Sequence, residues 1–281
     1  MLTVEDHSRD SAGLTYVYPV LSRRAGGLSV GINLNPDNKC NWRCIYCQVP
    51  GLKRGSAPIV DREKLSTELR QFLKDVLHGD FFADHNIEPD RRVIKDIALS
   101  GNGEPTSTAE FGEIINLIGT IMHEFKLVNE IKLVLITNGS FIKRSNVQKG
   151  LQNMSELNGE IWFKLDSATV PGMKRINSVN RTMNNVIANL DRACRLCPTW
   201  LQTCVFQQNG LAPSEEEQTA YLNFVQQCLE NKTPLQGVLL YGLARPSMQP
   251  EATDLAALGS VWLENFADRI RQLSLPVKIS T

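Results

Sequence analysis

The sequence predicts an α/β protein built on a parallel sheet, and three observations carry that prediction. Stretches of strand length with apolar alternation recur at residues 28–34, 93–100, 131–138, 160–166, 200–206 and 235–241. Longer segments with apolar residues at helical spacing alternate with them. The polar motifs of the chain stand where those strands end. Strands alternating with helices imply parallel pairing with right-handed crossovers, and such sheets place their sites at the carboxyl ends of the strands.

Taken in order, residues 1–27 are of mixed polarity and read as an amino-terminal extension. Residues 28–34 alternate as a strand that Pro36, Asp37 and Asn38 end. Residues 61–78 carry Leu65, Leu69, Phe72, Leu73, Val76 and Leu77 on one helical face, and Gly79 stops that helix. Ser107 and Glu110 form a capping box for a helix striped with Phe111, Ile114, Ile115, Ile118, Ile121 and Met122. Residues 182–197 and 214–231 repeat the pattern, the second with Ser214 and Glu217 as its capping box. Residues 252–281 read as a helix bearing Leu255, Leu258, Trp262, Phe266 and Ile270, then a short strand. No linker rich in Pro, Gly or Ser divides the chain. One domain is expected: an extension at 1–27, a core at 28–250, and residues 251–281 completing it.

The chemistry centres on Cys40, Cys44 and Cys47, which stand as CxxxCxxC in CNWRCIYC. That spacing suits three corners of a four-iron, four-sulfur cluster and leaves one iron free to coordinate a small molecule. Structural zinc is the alternative, although such sites pair CxxC with another CxxC or HxxxH and no such partner lies nearby. Buried, inert cysteines are the other alternative, set against the polar Asn41, Arg43 and Gln48 interleaved here. Cys194, Cys197, Cys204 and Cys228 include a CxxC, but Cys194, Cys197 and Cys228 fall on apolar helical stripes and read as core. His7, His78, His85 and His123 lie in no ligand motif.

Three more segments end strands. SGNGEPT, residues 100–106, brings Gly101 and Gly103, where backbone can be approached closely, beside Glu104, a carboxylate able to pair with an ammonium group; a tight turn is the plainer reading. ITNGS, residues 136–140, is also ordinary turn chemistry around Asn138. WFKLDSA, residues 162–168, ends in Asp166 and Ser167, readable equally as a solvated strand end.

CxxxCxxC with Tyr46 directly before its third cysteine resembles the signature of the radical S-adenosylmethionine (SAM) superfamily. GNGEPT resembles that superfamily's GGE motif, with Asn102 in place of the first glycine, and TNG and LDS follow in the family's order. The resemblance implies an incomplete (β/α)6 TIM-like barrel in a single domain, carrying one 4Fe-4S cluster held by Cys40, Cys44 and Cys47 and binding SAM at the open iron. It implies reductive cleavage of SAM to methionine and a 5′-deoxyadenosyl radical that takes a hydrogen atom from substrate. It places the methionine amino group at Gly103 and Glu104, with Gly101 shaping the turn. It also places ribose or methionine contacts at Asn138, Asp166 and Ser167, and adenine near the backbone of Tyr46. Lys164, Lys174, Arg175 and Arg181 are the partners offered for the SAM carboxylate.

A nearer resemblance is to the group containing the tRNA wyosine-synthesis (4-demethylwyosine synthase-like) enzymes. SVGINLNPDNKCNWRCIYCQ, GNGEPT, KLDSA followed by MKRIN, and YGLARPSMQP carry it over most of residues 28–250. Arg245 there implies a contact with SAM or substrate; a loop arginine beside a turn proline is an equally good reading. Those enzymes carry cysteines for a second cluster ahead of the motif, and this chain has none before Cys40. One cluster is therefore expected, with substrate recognised by the barrel mouth. RNA or a nucleotide is the substrate expected first, with a protein-activating or small-molecule radical SAM enzyme second. From another class, an iron–sulfur electron-transfer or binding protein without SAM cleavage, or a zinc-dependent nucleic-acid-binding module, would use the same cysteines differently.

Composition limits the rest. The formal net charge is +0, so no overall polycation binds nucleic acid by charge alone. Lys39, Arg43, Lys53 and Arg54 surround the cysteine loop, with Arg23 and Arg24 upstream. They form either a solvated rim or one that attracts a one-electron donor such as flavodoxin or ferredoxin, or an anionic substrate. No apolar run suggests a membrane span and the charged start lacks a signal-peptide core, so a soluble cytoplasmic protein with reduced thiols is expected.

Overall fold

The structure, a computed structural model, describes residues 13–22 and 26–280. One eight-stranded sheet runs in the order of the chain. Strand β1 (Val17–Ser22) is antiparallel to β2 (Gly27–Ile32). Parallel pairing then continues through β3 (Ile94–Leu99), β4 (Lys132–Thr137), β5 (Gly159–Lys164), β6 (Thr199–Cys204), β7 (Leu235–Tyr241) and β8 (Val277–Ser280). Neighbouring parallel strands need a crossover. Helices α1 (Arg62–His78), α2 (Phe111–Glu124), α3 (Ser145–Glu156), α4 (Val170–Asn177), α5 (Met183–Leu196), α6 (Glu215–Glu230) and α7 (Ser260–Arg271) supply them. β1 and β8 do not pair, so the sheet is an open, incomplete barrel.

Alternation along β5 shows how the two faces differ. Gly159, Ile161 and Phe163 are buried, whereas Glu160, Trp162 and Lys164 are half-buried. Ile161 and Phe163 join the core with Phe111, Ile114, Ile115, Ile118, Ile121 and Met122 of α2. Each of those side chains is fully buried, which stabilises the fold by about 1.5–3 kcal/mol apiece. Register neighbours on parallel strands share a face, so Trp162 lies beside Trp200 and Lys164 beside Gln202 on the side away from the helices.

The structure corrects the sequence reading in several places. The described part of residues 1–27 contains β1, whose Tyr18 ring fills the space over Gly31: a Cβ there would stand 2.3 Å from it. Buried Glu68 of α1 accepts the backbone N–H groups of Thr15, Tyr16 and Val17 at the start of that strand. Helices α3 and α4 were not read from the sequence. Leu77 is 37% exposed, off the buried stripe of α1. The Ser107–Glu110 capping box does not form, because Ser107 Oγ donates to Glu104 O and accepts from Ala57 N–H, while Glu110 accepts from Val60 N–H. Ser214 caps α6 as expected, but Glu217 turns its carboxylate to Ser167, Thr169 and Arg175 instead of back to the cap. Leu255 lies in a two-residue strand, Leu255–Ala256, paired with Gln207–Gln208, ahead of α7. Cys194, Cys197 and Cys228 are buried, as their helical phase required, and Cys204, the last residue of β6, is buried too.

Candidate iron–sulfur and SAM site

The cysteine loop leaves β2 and is closed by a pair of two-residue strands, Lys39–Cys40 and Lys53–Arg54. Cys40, Cys44 and Cys47 are half-buried free thiols within it. Four sets of residues fasten the loop, each following a strand of the parallel sheet. After β3, Asn102 Nδ2 donates to Asn38 Oδ1 (2.5 Å), and Gly103 lies against the Lys39 carbonyl, where a Cβ would come within 2.1 Å. After β4, Asn138 Nδ2 donates to Asn41 Oδ1 (2.8 Å), and Ser140 Oγ accepts from Trp42 Nε1–H (3.0 Å). After β5, Asp166 Oδ2 accepts from the Tyr46 hydroxyl at 2.6 Å. After β7, residues 245–249 form a strap across the loop.

That strap carries the Arg-Pro pair. Ser247 Oγ donates to Ile45 O (2.7 Å), Met248 N–H to Cys47 O (2.9 Å), and Gln249 Nε2 to Val49 O (2.9 Å). Arg245 Nη1 donates to Gln48 Oε1 at 3.0 Å. Arg245 therefore meets the cysteine loop. Sequence reasoning singled out Arg245 and passed over Ser247 and Gln249, which carry the strap.

The structure gives several predicted SAM residues a protein-holding role. Glu104 is 2% exposed; Oε1 accepts from Thr106 N–H (3.1 Å), Thr106 Oγ1 (2.5 Å) and Thr137 Oγ1 (2.6 Å), and Oε2 from Asn138 N–H (2.6 Å). Burial pushes its pKa up while these donors pull it down, for a net rise. Gly103 is required by the approach of Lys39 and Asn35. Asn138 Oδ1 accepts from Ser140 N–H, so this side chain closes its own turn as well as reaching Asn41. Ser167 Oγ is committed to Glu217 at 2.7 Å, and Tyr46 has its ring against Phe206, centroids 5.5 Å apart. Asp166 takes Asn177 Nδ2 (2.7 Å) and Cys204 N–H (3.1 Å) besides Tyr46.

The basic residues around the loop are largely spent on its shape. Lys39 pairs with Asp37 at 2.8 Å, Arg43 grips Glu251 through two bonds of 2.9 and 2.6 Å, and Arg54 donates to the carbonyls of Asn41 and Ser178. Lys53 is exposed, and Arg23 and Arg24 lie outside the described residues. Among the four partners offered for a carboxylate, Lys174 is exposed, Arg175 pairs with Glu217 at 3.3 Å, and Lys164 donates to the Tyr241 hydroxyl at 3.1 Å. Arg181 makes only long contacts, to Asn138 O (3.5 Å) and Ser140 Oγ (3.4 Å). Burial lowers its pKa and the nearby Glu104 charge opposes that.

These residues fit an iron–sulfur cluster. The donor set is three thiols with no imidazole, the soft set that such clusters take. Two sulfurs already accept N–H donors: Cys40 Sγ from Trp42 N–H at 3.4 Å, and Cys44 Sγ from Asn177 Nδ2 at 3.2 Å. Among the described residues no three His, Cys, Asp or Glu side chains gather as one metal ion requires. Burial pushes Cys40 up to about 11 and Cys44 up to about 12, with Asp166 raising Cys44 further and Lys164 and Asn177 opposing. Loading must therefore release protons.

An open sheet of parallel strands with every motif loop gathered at its carboxyl ends around CxxxCxxC defines the class: the chain has the radical SAM fold. Its solved neighbours include a radical SAM methyltransferase of Sphaerobacter thermophilus, with a TM-score of 0.58 at 13% identity, covering 93% of this chain and 68% of that one. TYW1 with a lysine–pyruvate adduct bound superposes with a TM-score of 0.58 at 14% identity, covering 87% of this chain and 73% of that one. SuiB of Streptococcus suis, bound to S-adenosylmethionine, gives 0.55 at 13% identity, covering 91% of this chain and 47% of SuiB. In sequence the chain is similar to a UPF0026 protein of Helicobacter pylori, 26% identical over 176 residues, 62% of this chain and 50% of the relative. The chain thus spans about half the length of that relative. No family model matches the chain.

Proposed function

We propose that the protein is a radical SAM enzyme acting on a nucleotide or RNA substrate. The observation that carries the class is the convergence of four post-strand loops on three free thiols. When bound, the cluster and SAM supply a 5′-deoxyadenosyl radical for hydrogen abstraction. This chain's own residues do the rest. Cys40, Cys44 and Cys47 hold iron. Arg181, whose contacts are at the long limit of hydrogen bonding, receives the SAM carboxylate, and Glu104 and Asn138 keep the turn that faces the amino group. Oε2 of Glu104 accepts one donor and has acceptor capacity left for an ammonium. A flavodoxin- or ferredoxin-type donor supplies the electron.

The substrate class is supported by the sheet face away from the helices. Lys164 and Tyr241 are the last residues of β5 and β7; there Lys164 Nζ donates to the Tyr241 hydroxyl at 3.1 Å and lies 5.2 Å from the centroid of the Tyr46 ring, beside the cysteine loop. Burial alone would lower the Lys164 ammonium, but Tyr241, Asp166 and Cys44 facing it hold it charged. Aromatic rings beside a cation at the carboxyl ends of the strands suit a planar, anionic ligand, and base stacking on such rings contributes about 1–3 kcal/mol per base.

Anaerobic reconstitution with iron and sulfide, followed by dithionite and SAM, tests the class. The expected product is 5′-deoxyadenosine in wild type and none in Cys44→Ala. A four-iron signal without cleavage would move the protein to the electron-transfer or binding class, and zinc binding alone would remove both cluster readings. The substrate is tested by comparing modified nucleosides in cells with and without the gene; identical nucleoside profiles would turn the search to proteins and small metabolites.

A further inference from the structure

Asn177 ends α4 and is the point where that helix meets the cysteine loop. Its residue is fully buried. Backbone bonds dock the turn: Arg43 N–H donates to Asn177 O (3.1 Å), Ile45 N–H to Ile176 O (2.9 Å), and Ser178 Oγ to Arg43 O (2.9 Å). Ser178 takes the left-handed conformation at φ 56, which turns the chain at this junction. The docking therefore does not depend on the Asn177 amide. That amide does something else: Nδ2 donates both to Cys44 Sγ at 3.2 Å and to Asp166 Oδ2 at 2.7 Å. Both protons of one NH2 group are used, one on a thiol sulfur and one on a carboxylate that also holds Tyr46, two residues along the loop.

We infer that Asn177 is a positioning residue that sets the reduction potential of the cluster through Cys44. The inference rests on the proposed reading that Cys44 is a cluster ligand. An N–H donor on a ligating sulfur favours the more negative, reduced state, and hydrogen bonds to sulfur are among the terms that set iron–sulfur potentials. Asp166 supplies the opposing influence. Its carboxylate fixes the amide by accepting the second proton, which holds a negative charge one amide group away from Cys44 Sγ. The KLDSA and MKRIN segments are thereby joined on the cluster side of the barrel in one chain of contacts, from Cys204 N–H through Asp166 and Asn177 to Cys44. The Asn177 Oδ1 atom is buried without a protein partner, so the side chain is oriented through its donor end.

The test is a redox titration of the reconstituted protein followed by electron paramagnetic resonance, with iron and sulfide content measured on the same samples. Asn177→Leu keeps size and the docking backbone while removing both donors, and its midpoint potential should fall below wild type. Asp166→Asn removes a negative charge near Cys44, and its midpoint should rise. Opposite shifts at normal iron content are the expected result. Unchanged potentials, or shifts of one sign in both variants, would overturn the inference. Asn177→Ala serves if Asn177→Leu does not fold; should neither variant hold a cluster that Asp166→Asn does hold, Asn177 is a docking residue and the tuning role is refuted. A wild type that forms no four-iron signal would instead remove the underlying reading of Cys44.

Discussion

Replacing Glu104 by Gln separates a carboxylate that binds a ligand from one that holds the protein. Its two oxygens accept from two backbone N–H groups, Thr106 and Asn138, and from the hydroxyls of Thr106 and Thr137. Gln has one acceptor oxygen and one NH2 group. The hydroxyls can rotate to accept from that NH2, but a backbone N–H cannot turn away. In one amide orientation the NH2 faces Asn138 N–H, and in the other it faces Thr106 N–H. Either way one buried N–H loses its partner, at a cost of about 1–3 kcal/mol. For a chain of this size that corresponds to a fall in melting temperature of roughly 2–5 °C. The assay is urea or thermal unfolding of the cluster-free protein, in which no SAM is present. A Glu104→Gln protein as stable as wild type would refute the structural role and leave the carboxylate as a ligand group only.

Three further outcomes follow from the same geometry. Gly103→Ala forces a methyl group against the Lys39 carbonyl and the Asn35 amide, which overpacks by about 1–3 kcal/mol and should lower both melting temperature and iron uptake; normal iron content would contradict the close approach. Cys40 and Cys44 are pushed up to about 11 and about 12 by burial, so cluster assembly at fixed iron and sulfide should rise from pH 7 to pH 9, read as iron per chain; loading independent of pH would count against thiol burial. Burial pushes Asp96 from 3.8 up to about 6, a folded value above the unfolded one. Its contribution is therefore fully present below about pH 4 and lost as pH rises through about 6, some 3 kcal/mol in all. Asp96→Asn should flatten that segment of the stability profile measured by urea unfolding; an unchanged slope would refute it.

Much of the fold was legible because it rests on short-range pattern. The strand segments at 28–34, 93–100, 131–138, 160–166, 200–206 and 235–241 all appear, shifted by a residue or two at their ends. Asp61 and Thr182 cap their helices through local bonds. What escaped was set by distant partners. Glu217 reads as a capping residue until the turn at Ser167 and Thr169 competes for it from 48–50 positions away. Strand β1 has no strong alternation of its own and is fixed by β2 and by Glu68. At the site, the three cysteines and the post-strand motifs were legible, but the direction of each side chain was not. At Glu104 the sequence shows the charge and not the four donors around it. Asn177 carried no signal beyond its place in MKRIN.

The strap at residues 245–249 has a consequence in time. It holds carbonyls of Ile45, Cys47 and Val49 from about 200 positions further along the chain. A ribosome adding about 5–20 residues per second exposes the three thiols roughly 10–40 s before their clamp exists. During that interval the cysteines stand on a loop that lacks the last of its four fastenings. Metal delivery is therefore best timed to the last stage of synthesis, when the arrival of β7 and the turn after it shuts the loop over its cargo.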